Sequence, residues 1–428
     1  MRDVGFISTD DPRWVEALDR ISHDVYHRPE YVQLAAATVS GQASAFLWRV
    51  GERWALVPLV VRDLPASASH ILGDIPSTIR GFGPNQQPRW CDGVSPYGYG
   101  GPISNAPGHC EEEVFYDLMR HARLMGLVTL FLRAHPVLSS AFRPFQGDCS
   151  IAIGTTYSIS LKEAEQTVSS ESNEEKREEL RTTSLLNRYR SSYRQEIRKL
   201  LRDSSIEYSL NDWRHLPSFA SLYRQNMANL GADPSYFFSD TYFRDSHMRL
   251  PNRVFLLSAT REGQFIGGVM LYGCRHNDQD AQGGGIAQYH LTAYQDEWRV
   301  KGLPKGLVHK AALWASRQGY QNFHLGGGLG GQNDSLAHFK QGFHPHPHHF
   351  RVYRLVTDND GYQRIVDRLA PQERDYFPIY RNSGGQAARV GAGEAREGKG
   401  SPPEQDSETK GKCPGRESNS HSVARTGF

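Results

Sequence analysis

The sequence is short of cysteine, of long apolar runs and of net charge, and each shortage excludes a class of protein. Five cysteines stand far apart, at Cys91, Cys110, Cys149, Cys274 and Cys413. An odd count with no Cys-x-x-Cys pair argues against a disulfide scaffold or a zinc cluster and points to a reducing compartment. No stretch approaches the roughly 18 apolar residues of a membrane span. The N-terminus, MRDVGFISTDDPRWVEAL, lacks the basic and then apolar pattern of a secretion signal. The expected location is therefore cytoplasmic. Lys and Arg number 49 against 47 Asp and Glu, a net charge of +2, too small to argue for nucleic acid by itself.

What is present is a chain of 428 residues, 38% hydrophobic and 11% aromatic, enough for two or three domains with real cores. From Asn382 to Gly427 there is no Phe, Tyr, Trp, Leu or Ile. Such a segment cannot bury enough apolar surface to offset its chain entropy, so the tail, 382–428, is expected to be disordered. A second polar region, Leu161 to Arg181, reads as a linker or an exposed helical insert (161–184).

Between these regions one plan occurs twice. Ala45 to Val61 reads as two strands turning at Gly51-Glu52, and Arg253 to Gly273 as two strands turning at Glu262-Gly263. A strand candidate follows each hairpin, Ser95 to Ile103 and Gly285 to Tyr294. Each precedes an amphipathic helix that stops at glycine, Gly126 or Gly319. Each helix leads to another strand, Val128 to Pro136 and Asn322 to Gly328. Two similar α/β units follow, 1–160 and 185–381.

Hairpin, strand, helix, strand, twice over, resembles the tandem GNAT domains of the Fem-type aminoacyl transferases. The stretches that carry the likeness are DVYHRPEYV (Asp24 to Val32), SPYGYGGP (Ser95 to Pro102), RYRSSYRQEIRKLLRDSSIEY (Arg188 to Tyr208), YHLTAY, HLGGG and DSLAHFKQGF. They span about residues 20 to 380. The resemblance implies an α/β (α+β) fold of two GNAT-like domains, each a mixed, mainly antiparallel sheet flanked by helices. It implies transfer of an acyl or aminoacyl group to an amine, with acyl-CoA or aminoacyl-tRNA as donor co-substrate and no tightly bound cofactor. It also implies an acceptor on a small molecule or a cell-envelope precursor such as peptidoglycan, tRNA as a partner, and peripheral association with membrane-linked precursors. The competing reading is a non-catalytic, degenerate GNAT pair that serves as a binding or scaffolding module.

The GNAT pyrophosphate loop reads Gln/Arg-x-x-Gly-x-Gly/Ala. Here Arg299-Val-Lys-Gly302-Leu-Pro304 places proline at the last position, and proline has no N–H for a phosphate. Lys305 and Gly306 follow, so Gly302, Lys305 and Gly306 form a shifted candidate cradle at a helix start. Fem-type enzymes lack a good coenzyme A loop because their donor is aminoacyl-tRNA.

Five glycines surround Leu329, and no Lys-Ser or Lys-Thr follows them, so a nucleotide loop is a weak reading. Gly326, Gly327 and Gly328 read instead as a splayed strand end that lets backbone approach a substrate. Lys340, in HFKQGF, either snorkels between Phe339 and Phe343 or, as the family likeness implies, stabilises an oxyanion or phosphate. His290 is a candidate general base, with Tyr289 beside it. Alternation places Tyr289, Leu291 and Ala293 on one face and His290 and Thr292 on the other.

Arg190, Arg194, Arg198 and Arg202 recur every four residues, beside an apolar stripe of Leu185, Tyr189, Tyr193, Ile197 and Leu201. Arg194 and Arg198 are candidate phosphate contacts, with Glu196 and Asp203 as the nearest neutralising acids. Tyr97 and Tyr99 suit stacking on a sugar or peptide. Arg133, near His135, suits an acceptor carboxylate or phosphate, and Tyr236 opens a further family-like segment. In HPHPHH, His344 to His349, alternating prolines keep the histidines from converging, so no metal site is expected.

Overall fold

Apolar, β-branched runs broken by short turns supply the strands, and amphipathic helices lie between them. The structure, a computed structural model, describes residues 2–82, 87–106, 108–138, 149–169, 171–275, 284–295, 301–328, 333–369 and 376–381. The tail expected to be disordered lies outside the described residues, as do Arg299 of the candidate loop and Leu329 to Gly331 of the glycine cluster.

The first half runs β1 (Arg2–Ile7), α1 (Pro12–Arg20), α2 (Pro29–Thr38), β2 (Gln42–Val50), β3 (Arg53–Asp63), α3 (Ala66–Leu72), β4 (Cys91–Val94), β5 (Ile103–Ser104), α4 (Glu111–Leu124), β6 (Leu127–Arg133) and β7 (Ser150–Ser160). The second begins with α5 (Lys162–Val168), α6 (Glu174–Arg188), α7 (Ser191–Leu201), β8 (Ile206–Leu210), α8 (Leu216–Asn229) and α9 (Asp240–Arg249). It continues through β9 (Val254–Arg261), β10 (Gln264–Arg275), β11 (Gly285–Tyr294), α10 (Leu303–Arg317), β12 (Asn322–Gly327), α11 (Ser335–Gln341), β13 (His346–Val356) and α12 (Asn359–Leu369). Both hairpins turn where the sequence places the turn, with positive φ at Gly51 and Gly263.

All the described strands join one sheet in the order β1-β2-β3-β4-β6-β13-β7-β12-β11-β10-β9-β8, with β5 paired to β3. The order is symmetric about its middle. β13, from the second half, lies against β6, and β7, from the first, lies against β12. The two units thus exchange their last strands, and the sheet runs unbroken through the centre. In each unit the strand after the hairpin pairs parallel with the strand after the helix, β4 with β6 and β11 with β12.

Over β3, β6 and β10 both faces of the sheet are covered, which is why these strands read as near-continuous apolar runs. In β10, Met270, Tyr272 and Cys274 join Trp14, Tyr31, Phe219 and Phe243 from α1, α2, α8 and α9. Val269 and Leu271 point the other way, to Leu185, Ile197 and Leu307 of α6, α7 and α10. In the first unit Phe115 and Leu118 of α4 cover that second face over Val57 and Leu59.

The strand after the first hairpin and the row of arginines differ from the sequence reading. The strand expected over Ser95 to Ile103 lies earlier, at Cys91–Val94, and Ser95 to Pro102 is a loop that folds back onto the end of β6. Gly101 permits this return, because a Cβ there would sit 2.2 Å from the carbonyl oxygen of Arg133. The polar stretch around 161–184 forms α5 and α6, largely exposed and held down where Arg181, 3% exposed, bonds Glu165 and Glu174 and where Arg317 of α10 bonds Glu178. The row of four arginines does not lie on one helix. The chain breaks between α6 and α7, so Arg190 is an N-cap, Arg202 a C-cap, and Arg194 and Arg198 alone lie within α7.

Candidate active site

The site forms where β11 and β12 part. Their parallel pairing covers Ile286 to Gln288 against Asn322 to His324 and then stops. Beyond it, β11 carries a β-bulge. Tyr289 pairs with Leu271 and Leu291 with Met270, leaving His290 as the extra residue. The bulge overturns the simple alternation expected from the sequence. Tyr289 packs toward Phe323 on the α10 side, whereas Leu291 and Ala293 join the opposite core with Met270 and Tyr272. β12 bulges too, between His324 and Gly326 in its pairing with β7, and Gly326 takes a left-handed φ of 74°. Without a Cβ, Gly326 leaves a position 3.3 Å from the Tyr99 hydroxyl and 3.4 Å from the Lys340 amine.

A buried chain of hydrogen bonds leads to this point from the first half. Asp24, fully buried, accepts from the Val25 N–H at 2.7 Å, from His135 Nε2 at 3.0 Å and from Gln288 Nε2 at 2.6 Å. Burial alone would raise the Asp24 pKa, but these bonds, with His135 foremost, hold it below the ordinary value. His135 Nδ1 accepts from the N–H groups of Val137 and Leu138, which places its ring proton on Nε2, facing the carboxylate. With its amide nitrogen on Asp24, Gln288 must turn Oε1 toward His324 Nδ1, 2.8 Å away. His324 therefore carries its proton on Nδ1, and its Nε2 lone pair is buried and unpartnered. Burial, helped by His135, His348 and Lys340, holds the His324 pKa well below its ordinary value, so the ring is neutral.

Tyr99 and Lys340 close the other side. The Tyr99 ring meets His324 edge to face, with centroids 4.9 Å apart, and a backbone hydrogen bond from Gly327 reaches its hydroxyl. Lys340 is 7% exposed and donates from Nζ to the Gly327 carbonyl at 2.5 Å. Burial lowers its pKa to about 7, against the pull of Asp334.

The other residues singled out from the sequence divide into two groups. Tyr97, Arg133, Tyr236 and His290 gather beside Tyr99. Tyr97 packs on His290 at 5.8 Å, and Tyr236 lies within electrostatic reach of Arg133, Tyr97 and Tyr99. Arg133 is buried and donates to the Ser95 carbonyl, and burial lowers its pKa to about 10. His290 stacks on Tyr272 at 4.1 Å, and its Nε2 is engaged with the Tyr242 hydroxyl at 2.8 Å. Burial lowers the His290 pKa to about 3.

The second group lies on the α7–α10 side. Gly302 caps α10 in a left-handed conformation. Lys305 is paired with Glu196 at 2.5 Å and lies over the Tyr193 ring. Gly306 is buried against Leu200 and Tyr208. Pro304 has no N–H and the Gly306 N–H bonds Gly302, so the first turn keeps the N–H groups of Leu303 and Lys305 for a ligand. That is a poor cradle for a pyrophosphate. Glu196 and Asp203 neutralise Lys305 and Arg261 rather than the arginines of α7. Among the described residues Arg194 and Arg198 make no ion pair. Tyr193 ties α7 to the Lys340 helix through a bond to the Phe339 carbonyl. No group of three His, Cys, Asp or Glu among the described residues is placed to hold a metal ion.

No protein-family model matches the sequence, and no curated protein matches it. Solved structures do. FemX is similar at a TM-score of 0.56 and 11% identity, over 84% of this chain and 98% of that one. The chain has the tandem GNAT fold of FemX. L-PGS from Bacillus licheniformis gives a TM-score of 0.47 at 12% identity, over 86% of this chain and 98% of that one. A tandem GNAT protein from the clavulanic acid biosynthesis pathway gives 0.42 at 10%, over 83% and 99%. Within this FemX-like fold each half supplies part of the site: Asp24, Tyr99 and His135 from the first unit, Gln288, His324 and Lys340 from the second.

The sequence reading passed over Asp24, Gln288 and His324 as functional candidates and left His135 without a role. His324 stood two residues before the glycine cluster, at the end of an apolar strand, and that placement was the available signal. The link from Asp24 to Gln288 joins residues from opposite ends of the chain, and no local pattern announces it.

Proposed function

We propose that the protein transfers an acyl or aminoacyl group to an amine at the point where β11 and β12 part. The observation that carries the reading is the Asp24–Gln288–His324 chain, which leaves a neutral imidazole with a free Nε2 lone pair in a buried site. An amine attacking a carbonyl gains positive charge and must lose a proton, and His324 Nε2 is placed to take it. The carbonyl oxygen gains negative charge at the same moment. The Lys340 ammonium and the Tyr99 hydroxyl, converging over Gly326, are the donors for it. His290, stacked on Tyr272 and tied at Nε2 to the Tyr242 hydroxyl, serves as a wall of the acceptor pocket with Tyr97, while Arg133 and Tyr236 orient the acceptor.

The poor pyrophosphate cradle at α10 and the unpaired arginines of α7 favour aminoacyl-tRNA over acyl-CoA as donor. The family likeness supports an amine on an envelope precursor as the acceptor. The test is transfer of labelled acyl groups from acetyl-CoA, and of labelled amino acids from charged tRNA, to amine-bearing precursors. His324→Gln is expected to lower transfer about 100-fold or more while the protein stays folded. An unchanged rate in that variant refutes the assignment. Binding of precursor with transfer from neither donor favours the scaffolding reading.

A further inference from the structure

One polar pair beside this site has no part in the mechanism above. Thr156 and Ser158 of β7 alternate with Tyr157 and Ile159, which belong to the core beneath α7 and α10, so the two hydroxyls look to the opposite face. Ser158 is 1% exposed, and its Oγ lies 2.6 Å from Nε2 of His348 on the neighbouring strand β13. Burial holds the His348 pKa below the ordinary value, aided by His346 and His135. In the tautomer with its proton on Nδ1, a neutral His348 accepts the serine proton at that distance. Two further buried polar atoms flank the pair without partners, Thr156 Oγ1 and His324 Nε2. Thr156 is the cross-strand neighbour of His348, and His324 that of Ser158. The rings of His324 and His348 are 6.4 Å apart. An unpartnered buried polar atom costs about 1–3 kcal/mol. Two of them around one hydroxyl–imidazole pair point to a ligand that brings hydrogen-bonding groups to this spot.

We propose that Ser158 is a nucleophile with His348 as its base, and that the acyl group rests on Ser158 before it reaches the amine. Ser158 Oγ attacks the carbonyl of the donor ester or thioester while its proton passes to His348 Nε2. The bond from the carbonyl carbon to the donor oxygen or sulfur breaks, and the leaving group takes the proton from His348. The acceptor amine then attacks the acyl-serine, the carbon–Oγ bond breaks, and the proton lost by the amine returns to Oγ. Water in place of the amine gives a slow esterase activity. The proposal rests on the acyl-transfer reading for its donor, but its intermediate is detectable alone.

The probe is p-nitrophenyl acetate with the full-length chain, followed by p-nitrophenolate release and by intact and peptide mass. The expected result is a burst of about one p-nitrophenolate per chain and one acetyl group on the peptide that holds Ser158. Ser158→Ala loses both. Ser158→Cys, which keeps a nucleophile, retains the adduct and guards against a folding artefact. His348→Gln slows the burst about 100-fold or more. No acetyl group on the protein, or acetyl on Lys340 alone, overturns the proposal. Transfer to amines at the wild-type rate by Ser158→Ala also removes the relay and leaves the proposed function standing. An acetyl-serine that only water can discharge keeps Ser158 as a nucleophile but overturns the relay to the amine, and the proposed function with it.

Discussion

Replacing Lys340 with methionine should make the protein more stable and nearly inactive, and the gain in stability should shrink as pH rises. Lys340 is 7% exposed, and burial brings its ammonium from 10.5 to about 7. In the unfolded chain the same amine sits in water at its ordinary value. Between those two values the unfolded state holds the additional proton, so the wild-type protein gains stability as pH climbs through that window. At about 1.4 kcal/mol per pKa unit, burying this side chain costs about 4 kcal/mol at neutral pH and about 2 kcal/mol at pH 9. Methionine has a similar shape and no charge, so it avoids that cost. It also gives up the bond from Nζ to the Gly327 carbonyl, about 1 kcal/mol.

The net expectation is a stabilisation of about 3 kcal/mol at neutral pH that falls to about 1 kcal/mol at pH 9. Urea unfolding of both proteins at the two pH values reads it directly. Acyl transfer by the same variant should fall about 100-fold or more, the usual loss when one oxyanion donor is removed. A stability difference that does not change with pH refutes the reasoning, because it means that the amine is not held in the desolvated position from which the cation is poised to act. A variant less stable at both values refutes it too.

Transfer should decline as pH rises through about 7, where Lys340 loses its proton, and Lys340→Arg should move that decline beyond the accessible range; a profile without this limb rules out the ammonium as the acting form. The acid side should stay flat to well below pH 6.5, because His324 remains neutral there. Gly326→Ala should lower both stability and turnover, since the residue has a left-handed φ of 74° and its Cβ would press on Tyr99 and Lys340; about 1 kcal/mol of strain is expected from the backbone alone, read by thermal unfolding beside the transfer assay. Arg194→Glu with Arg198→Glu should weaken charged-tRNA binding and flatten its salt dependence by about 0.7–0.9 per lost phosphate contact, while leaving unfolding unchanged.

The elements of the fold were legible because local physics decides them. Hairpin turns need glycine at Gly51 and Gly263, helices end at Gly126 and Gly319, and strands buried on both faces are apolar throughout. Their arrangement was not legible. β7 and β13 trade places between the units, and nothing in Ser150–Ser160 or His346–Val356 marks a strand that pairs across the duplication. Tyr99, Gly326 and Lys340 stand out in the sequence because a tyrosine–glycine run, a glycine cluster and a lysine among aromatics are locally odd. Asp24, Gln288 and His324 are odd only once buried, and burial is a property of the whole fold.

The exchange of strands also explains why the site needs both units. Each unit has a parallel pair that parts, β4 from β6 and β11 from β12. In the first unit the chain fills its own gap: Ser95 to Pro102 folds over Arg133, and the Ser95 hydroxyl accepts the Arg133 N–H at 2.9 Å. That loop cannot then admit a substrate at its own strands, and it instead projects Tyr97 and Tyr99 toward the gap of the second unit. Asp24 acts the same way, crossing from the first unit to orient Gln288 in the second. One copy of the duplicated plan has thus become the wall and the electrostatic support of the other. A separated second unit would keep His324 and Lys340 but lose Asp24, which orients Gln288 and through it the proton on His324, and it would lose Tyr99, the second proposed oxyanion donor. On the proposed mechanism, chemistry at this site depends on the central strands β13 and β7 staying paired, which ties activity to the integrity of the whole sheet rather than to either half.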